Sequence, residues 1–138
     1  MADQLGWLDT NLFIHALYTG DREFARSRAL VDSLADGRGE GWLSPLVIHE
    51  LTYVLSRRPE FPTRAAVHGY LASILHASGV QLEDSTTMRA AAARWATGTV
   101  SFVDAYLTEL ALRDELPVCS ANRRDFLDVD NSYEGANP

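Results

Sequence analysis

The chain has 138 residues, 46% of them hydrophobic and 22% charged, with a formal net charge of −7 and a pI near 4.9. That length fits one soluble globular domain, able to bury a core without staples. The acidic balance argues against nucleic-acid binding through a broad basic face. It leaves room for an enzyme whose excess acids hold cations. All 12 basic residues are arginine, the better bidentate partner for phosphate. No apolar run approaches the ~20 residues of a membrane span. Met1-Ala2-Asp3-Gln4 lacks the basic region and apolar core of a signal peptide. Cys119 is the lone cysteine; it excludes an internal disulfide, sits in an apolar run that reads as buried, and suits a reducing cytoplasm.

Trp7-Leu8-Asp9-Thr10-Asn11 reads as a short buried strand ending in an acid, with a helix over 11–18 directly behind it. A second helix starts near Asp21 and stops at Gly37, which suits a left-handed cap. A loop and brief strand follow over 39–43. Ser44-Pro45 is the pattern of an N-cap and first helical position, predicting a helix to about Arg57. Pro59 and Pro62 bracket a break before a fourth helix, Thr63 to Ala77, and Val80-Gln81-Leu82 makes another short strand. Asp84 or Ser85 caps a fifth helix with Met88, Ala91, Ala92 and Trp95 on its inner side. Ser101 to about Leu116 is a sixth. Pro117-Val118-Cys119-Ser120 is the clearest strand after the first, followed by a turn from Asn122 to Phe126. Short apolar strands alternating with helices call for a parallel sheet covered by helices. The expectation is a single domain over 1–138, with about 128–138 a loosely ordered tail.

Four places on this map hold acids. Asp9 lies beyond the carboxyl end of a strand, where open α/β sheets bind ligands, although Asp and Thr are also favoured helix caps. Glu50 has Leu46, Val47, Tyr53 and Val54 as its helical neighbours. A carboxylate so placed is expected to be shielded from solvent and therefore paired, protonated or bound to a cation; the plain alternatives are an ion pair with Arg57 or Arg58, or a place at the helix's solvent edge. Asp104 completes a capping box with Ser101, yet sits on a helix whose Phe102, Val103, Tyr106, Leu107 and Leu110 read as buried. Asn122 and Asp125 follow the Pro117–Ser120 strand, at the same sheet edge as Asp9. Clustered carboxylates repel one another unless cations are present, and all-oxygen ligands select Mg²⁺ or Mn²⁺ over zinc. No HExxH, G-x-G-x-x-G, P-loop or nucleophile elbow occurs.

Leu8-Asp9-Thr10-Asn11, Ser44-Pro45 with His49-Glu50-Leu51, Ser101-Phe102-Val103-Asp104-Ala105 and Val118 to Phe126 come in one order along the chain. In this the sequence resembles the PIN-domain ribonucleases, in particular the VapC-type toxins of bacterial toxin–antitoxin pairs. The resemblance implies a three-layer α/β/α sandwich around a short central parallel sheet of four or five strands. It implies an Mg²⁺- or Mn²⁺-dependent endoribonuclease, with Asp9, Glu50 and Asp104 as the principal acids and metal ligands. Asn122 stands where the family often has Asp, and Asp125 is a possible substitute for it. Ser120 matches a hydroxyl position that orients water or phosphate, and Arg123 and Arg124 are candidate phosphate contacts. Implied partners are an RNA substrate, a cognate antitoxin and a second copy of the chain, without a membrane. The competing readings are a non-toxin PIN nuclease in RNA or DNA processing, and a non-catalytic α/β module that binds a protein.

Overall fold

The computed structural model describes residues 1–133. The chain divides into two compact units, Met1–Ser85 and Thr86–Pro138.

The first unit is built on a parallel sheet of three strands: β1 (Asp3–Trp7), β2 (Gly39–Trp42) and β3 (Val80–Gln81), in the order β1-β2-β3. Parallel neighbours need long crossovers, and helix pairs supply both. Between β1 and β2 run α1 (Thr10–His15) and α2 (Phe24–Asp36); between β2 and β3 run α3 (Pro45–Leu55) and α4 (Arg64–Leu75). The caps follow the residues. Ser44 Oγ accepts from the Leu46 N–H at 3.1 Å, Thr63 Oγ1 accepts from the Ala66 N–H at 3.1 Å, and Gly37 ends α2 in the left-handed region at φ 80°. The core of this unit is Phe13, Leu34, Ile48, Leu51, Leu55, Val67, Leu71 and Leu75, all essentially inaccessible.

One glycine here is required by close approach. A Cβ on Gly79 would lie 1.9 Å from the Gly39 carbonyl oxygen and 2.9 Å from that of Leu34. That approach lets the Gly79 carbonyl accept from Gly41 N–H at 2.9 Å where β3 joins β2.

The second unit comprises α5 (Ser85–Thr97), α6 (Phe102–Asp114) and a 3-10 helix, Arg123–Phe126. Met88, Ala91, Ala92 and Trp95 form the buried side of α5, as their spacing predicts. Ala111, Val118 and Phe126 make a small cluster covered by Val129. Arg94 braces this unit, bonding the Glu109 carboxylate at 2.8 Å and reaching Asp128 as well.

Several expectations need correction. Among the described residues there are three strands, not four or five. The segment Pro117–Ser120 makes only an isolated parallel bridge, Val118 to Asn131. The opening strand starts earlier than expected, at Asp3, and is largely exposed; only the following Leu8 is buried. Helix α1 ends at His15 rather than Tyr18. Cys119 is exposed, because Val118 takes the inward position and the alternation turns its neighbour outward. The loosely ordered tail does not begin at 128. Asp128 is held by Arg94, Val118 N–H donates to Asp130 O at 2.9 Å, and Ser132 N–H donates to Val118 O at 2.8 Å; the rest of that expectation, 134–138, lies outside the described residues. Among the described residues no helix is long and apolar enough to cross a membrane.

Candidate active site

In the first unit the carboxyl ends of the strands carry the candidate groups. Asp9 is the N-cap residue of α1, with extended backbone at φ −97° and ψ 152°, yet its side chain makes no capping hydrogen bond. The carboxylate is exposed, so the cap explanation for this acid fails and its oxygens remain available to a ligand. Thr10, by contrast, is buried.

Glu50 takes the solvent-edge alternative, not the shielded one. It is exposed, between Leu46 and Tyr53 that are themselves 77% and 57% exposed. The reason is the angular position of the stripe: α3 buries Ile48, Leu51, Thr52 and Leu55, and Glu50 lies off that face. Its carboxylate therefore stays in contact with solvent. Nor does either arginine pair with it. Arg57 donates to Tyr53 O at 3.0 Å and lies 3.5 Å from the Tyr53 ring centre, while Arg58 stands over Tyr18 at 5.2 Å.

In the second unit the structure brings together three of the expected residues. Ser101 caps α6 by accepting from the Asp104 N–H at 3.2 Å. The Asp104 carboxyl hydrogen-bonds both that of Asp125 and the Ser101 side chain. Asn122 closes the group, its Nδ2 donating to Asp125 Oδ2 at 2.8 Å. Desolvation lifts the Asp104 carboxyl above the ordinary range, the hydrogen bond to Asp125 and its charge add to this, and a hydrogen bond with Ser101 opposes it. Two carboxyls in contact share a proton, or need a cation in its place. The helix is less buried than expected: Phe102 is inside, but Val103 and Leu107 are 44% and 43% exposed. The outward faces of α6 border a cavity of about 410 Å³, in which Asp104, Ser120 and Cys119 meet Leu107, Pro117 and Phe126.

Ser120 is held firmly. Its Oγ accepts from the Asn122 N–H at 3.0 Å, and Asn131 clasps its main chain, accepting from the Ser120 N–H at 3.1 Å and donating to its carbonyl at 2.8 Å. The hydroxyl keeps its own hydrogen to donate. Asn131 is a supporting residue that sequence reasoning missed, since it stands in what read as tail; Arg94 was missed likewise. Arg123 and Arg124 open the 3-10 helix on exposed positions.

These donors fit a hard divalent cation by type, being carboxylates plus an amide oxygen. Within either unit, no three His, Cys, Asp or Glu side chains among the described residues gather into a metal cage. No curated protein matches the chain. The family model of the PIN domain matches residues 7–132, running through both units and through each of the acids above. With nine-tenths of its length matched, the chain belongs to the PIN-domain family, whose fold is generally that of a nuclease.

Proposed function

We propose that the protein is a divalent-metal-dependent endoribonuclease, acting as the toxin of a toxin–antitoxin pair. The observation that carries this reading is the Asp104–Asp125 carboxyl pair in a chain of a nuclease family. A structural cap or ion pair gains nothing from a second carboxyl in contact. A cation site does.

Asp9, Glu50 and Asp104 are the proposed metal-holding carboxylates, assigned through the family pattern and supported by the uncapped side chain of Asp9 and the contact of Asp104 with a second carboxyl. Mg²⁺ or Mn²⁺, when bound, supplies a lowered water pKa and charge compensation at the phosphate. The chain's own residues do the rest. Asp125 hydrogen-bonds the Asp104 carboxyl and so orients it. Asn122 fixes Asp125 by its amide and adds a neutral oxygen where the family often has an acid. Ser120 can donate its hydroxyl hydrogen to a phosphate oxygen, and Arg123 and Arg124 can approach the strand's phosphates. The three-layer α/β/α sandwich belongs to this proposal, as do a cognate antitoxin and a second copy of the chain as partners and a cytoplasmic setting. An antitoxin that carries Arg or Lys suits a chain of net charge −7.

The test is cleavage of single-stranded RNA by the purified protein, with Mn²⁺ and with EDTA. Cleavage in Mn²⁺ that stops in EDTA is expected; no cleavage in Mn²⁺ would sink the reading. For the toxin role, expression should arrest a bacterial host and Asp9→Asn should relieve the arrest. Growth unaffected by the wild-type chain, with nuclease activity shown in vitro, would leave a processing nuclease instead.

A further inference from the structure

The first unit also carries an exposed pair of tryptophans. Gly6-Trp7-Leu8 and Gly41-Trp42-Leu43 lie side by side, with Gly6 opposite Gly41 and Trp7 opposite Trp42 in the β1–β2 register. A bulge between Gln4 and Gly6, where Gly6 takes φ 81°, sets that alignment. Bulges of this kind re-aim a side chain and occur beside active sites. The two indoles lie 6.0 Å apart at 42°, and they are 74% and 43% exposed. Exposed tryptophan is costly to leave in water. Leu8 N–H donates to Trp42 O at 2.9 Å and Leu43 N–H donates to Gln81 O at 2.9 Å, so the three strand ends are locked together where the indoles emerge.

Beside them lies a cavity of about 280 Å³, lined by Trp7, Trp42, Leu43, Ser44, Pro45 and Glu83. That is just below the ~300 Å³ at which sites for drug-sized ligands begin, so it suits one planar base. The indole spacing falls short of about 7 Å, twice the ~3.4 Å stacking rise; a base therefore lies on the pair rather than between its members. Glu83 is exposed at the rim and offers two acceptor oxygens side by side. Guanine is the base whose pairing edge presents two adjacent donors, N1–H and N2–H. Adenine and cytosine set an acceptor beside their amino group, and uracil flanks its single N–H with two carbonyls; each places a lone pair against a carboxylate. Ser44 Oγ already accepts from Leu46 N–H and keeps a hydrogen to give guanine O6.

We infer that Trp7, Trp42 and Glu83 form a guanine-selective pocket for a nucleotide of single-stranded RNA, with Trp7 two residues along the chain from Asp9. This rests on the nuclease reading for the polymer, but the pocket's choice of base rests on its own residues. It also explains how an acidic chain holds RNA: by stacking, which is indifferent to backbone charge.

The test is fluorescence anisotropy of labelled pentaribonucleotides UUGUU, UUAUU, UUCUU and UUUUU on the full chain in EDTA, where cation-dependent cleavage cannot interfere. UUGUU should bind at least tenfold more tightly than the others. Trp7→Ala and Trp42→Ala should each weaken UUGUU five- to hundredfold, with circular dichroism unchanged. Glu83→Gln should shrink the guanine preference below threefold while leaving UUAUU affinity unchanged, because one acceptor is replaced by a donor. Equal binding of all four oligonucleotides would overturn the inference, as would tight UUGUU binding that survives both tryptophan substitutions. RNA cleavage in Mn²⁺, measured separately, distinguishes the two claims. Cleavage without guanine selectivity removes the pocket alone; guanine selectivity without cleavage removes the nuclease reading alone.

Discussion

Replacing Asp125 by Asn should make the metal-free protein more stable. In the wild type the Asp104 and Asp125 carboxyls hydrogen-bond each other, and both residues are half-buried. Two like charges about 4 Å apart would repel by about 1 kcal/mol in a water-like medium and by about 4 kcal/mol at an effective dielectric of 20, and a shared proton relieves only part of this. Partial exposure places the effect near the lower figure, at about 1–2 kcal/mol. An asparagine retains the geometry. Its carbonyl oxygen can still accept from Asn122 Nδ2, as Asp125 does at 2.8 Å, and its amide donates to the Asp104 carboxylate where a shared proton stood. The sign can be checked through pH. A carboxyl raised above its unfolded pKa binds more protons folded than unfolded, so stability falls as pH rises from the unfolded value through the raised one. That slope should flatten in Asp125→Asn. With ~2.1 cal/mol/K of unfolding entropy per residue over 138 residues, the gain corresponds to about 3–7 °C in Tm. Thermal unfolding followed by circular dichroism in EDTA, between pH 4 and 8, measures it. A loss of 1 kcal/mol or more at pH 7.5, as expected when a cap or ion pair is removed, would refute the reasoning.

Three further outcomes follow from the structure. Gly79→Ala should cost about 3 kcal/mol or abolish folding, because its Cβ would sit 1.9 Å from the Gly39 carbonyl; a variant as stable as wild type in urea unfolding would contradict the packing of β3. Tyr70→Phe should remove an alkaline instability. Burial pushes the Tyr70 phenol up to about 12, where it donates to Phe13 O at 2.7 Å, so wild-type stability falls as pH climbs from ~10 through that value, by about 1–2 kcal/mol once partial exposure is allowed for. An identical slope in the variant would rule this out. Arg94→Met should destabilise by about 1–3 kcal/mol, since it leaves the Glu109 carboxylate, 17% exposed, without its partner at 2.8 Å; a change within 0.5 kcal/mol in denaturant titration would show the brace to be idle.

Much of the fold could be read from residues whose effect is local. Ser44-Pro45, Thr63 and Gly37 mark helix ends by chemistry that acts within a turn, and each stands where expected. The inner face of α5 likewise follows from spacing alone. What failed depended on distant partners. The stretch Pro117–Ser120 has strand composition, but a strand needs a neighbour along its length, and Asn131 provides one bridge only. The tail looked polar and therefore loose, yet Asn131 and Asp128 find Ser120 and Arg94 across 11 and 34 residues of chain. Glu50 shows the limit of counting neighbours on a helix: apolar residues beside an acid say little when they are exposed too. Asp104 shows the reverse. Its cap pattern was correct for Ser101, while the side chain that made the pattern is engaged with Asp125. The tryptophan pair went unread because Trp7 and Trp42 are neighbours only through the strand register.

The most direct test is a Mn²⁺ titration of thermal stability in the wild type, Asp9→Asn and Asp104→Asn. A cation that binds only the folded protein should add about 2.7 kcal/mol at one hundred times its Kd. That increment is expected in the wild type and is expected to be lost in each single variant if the two carboxylates serve as the proposed metal ligands. An increment of equal size in all three proteins would contradict that assignment.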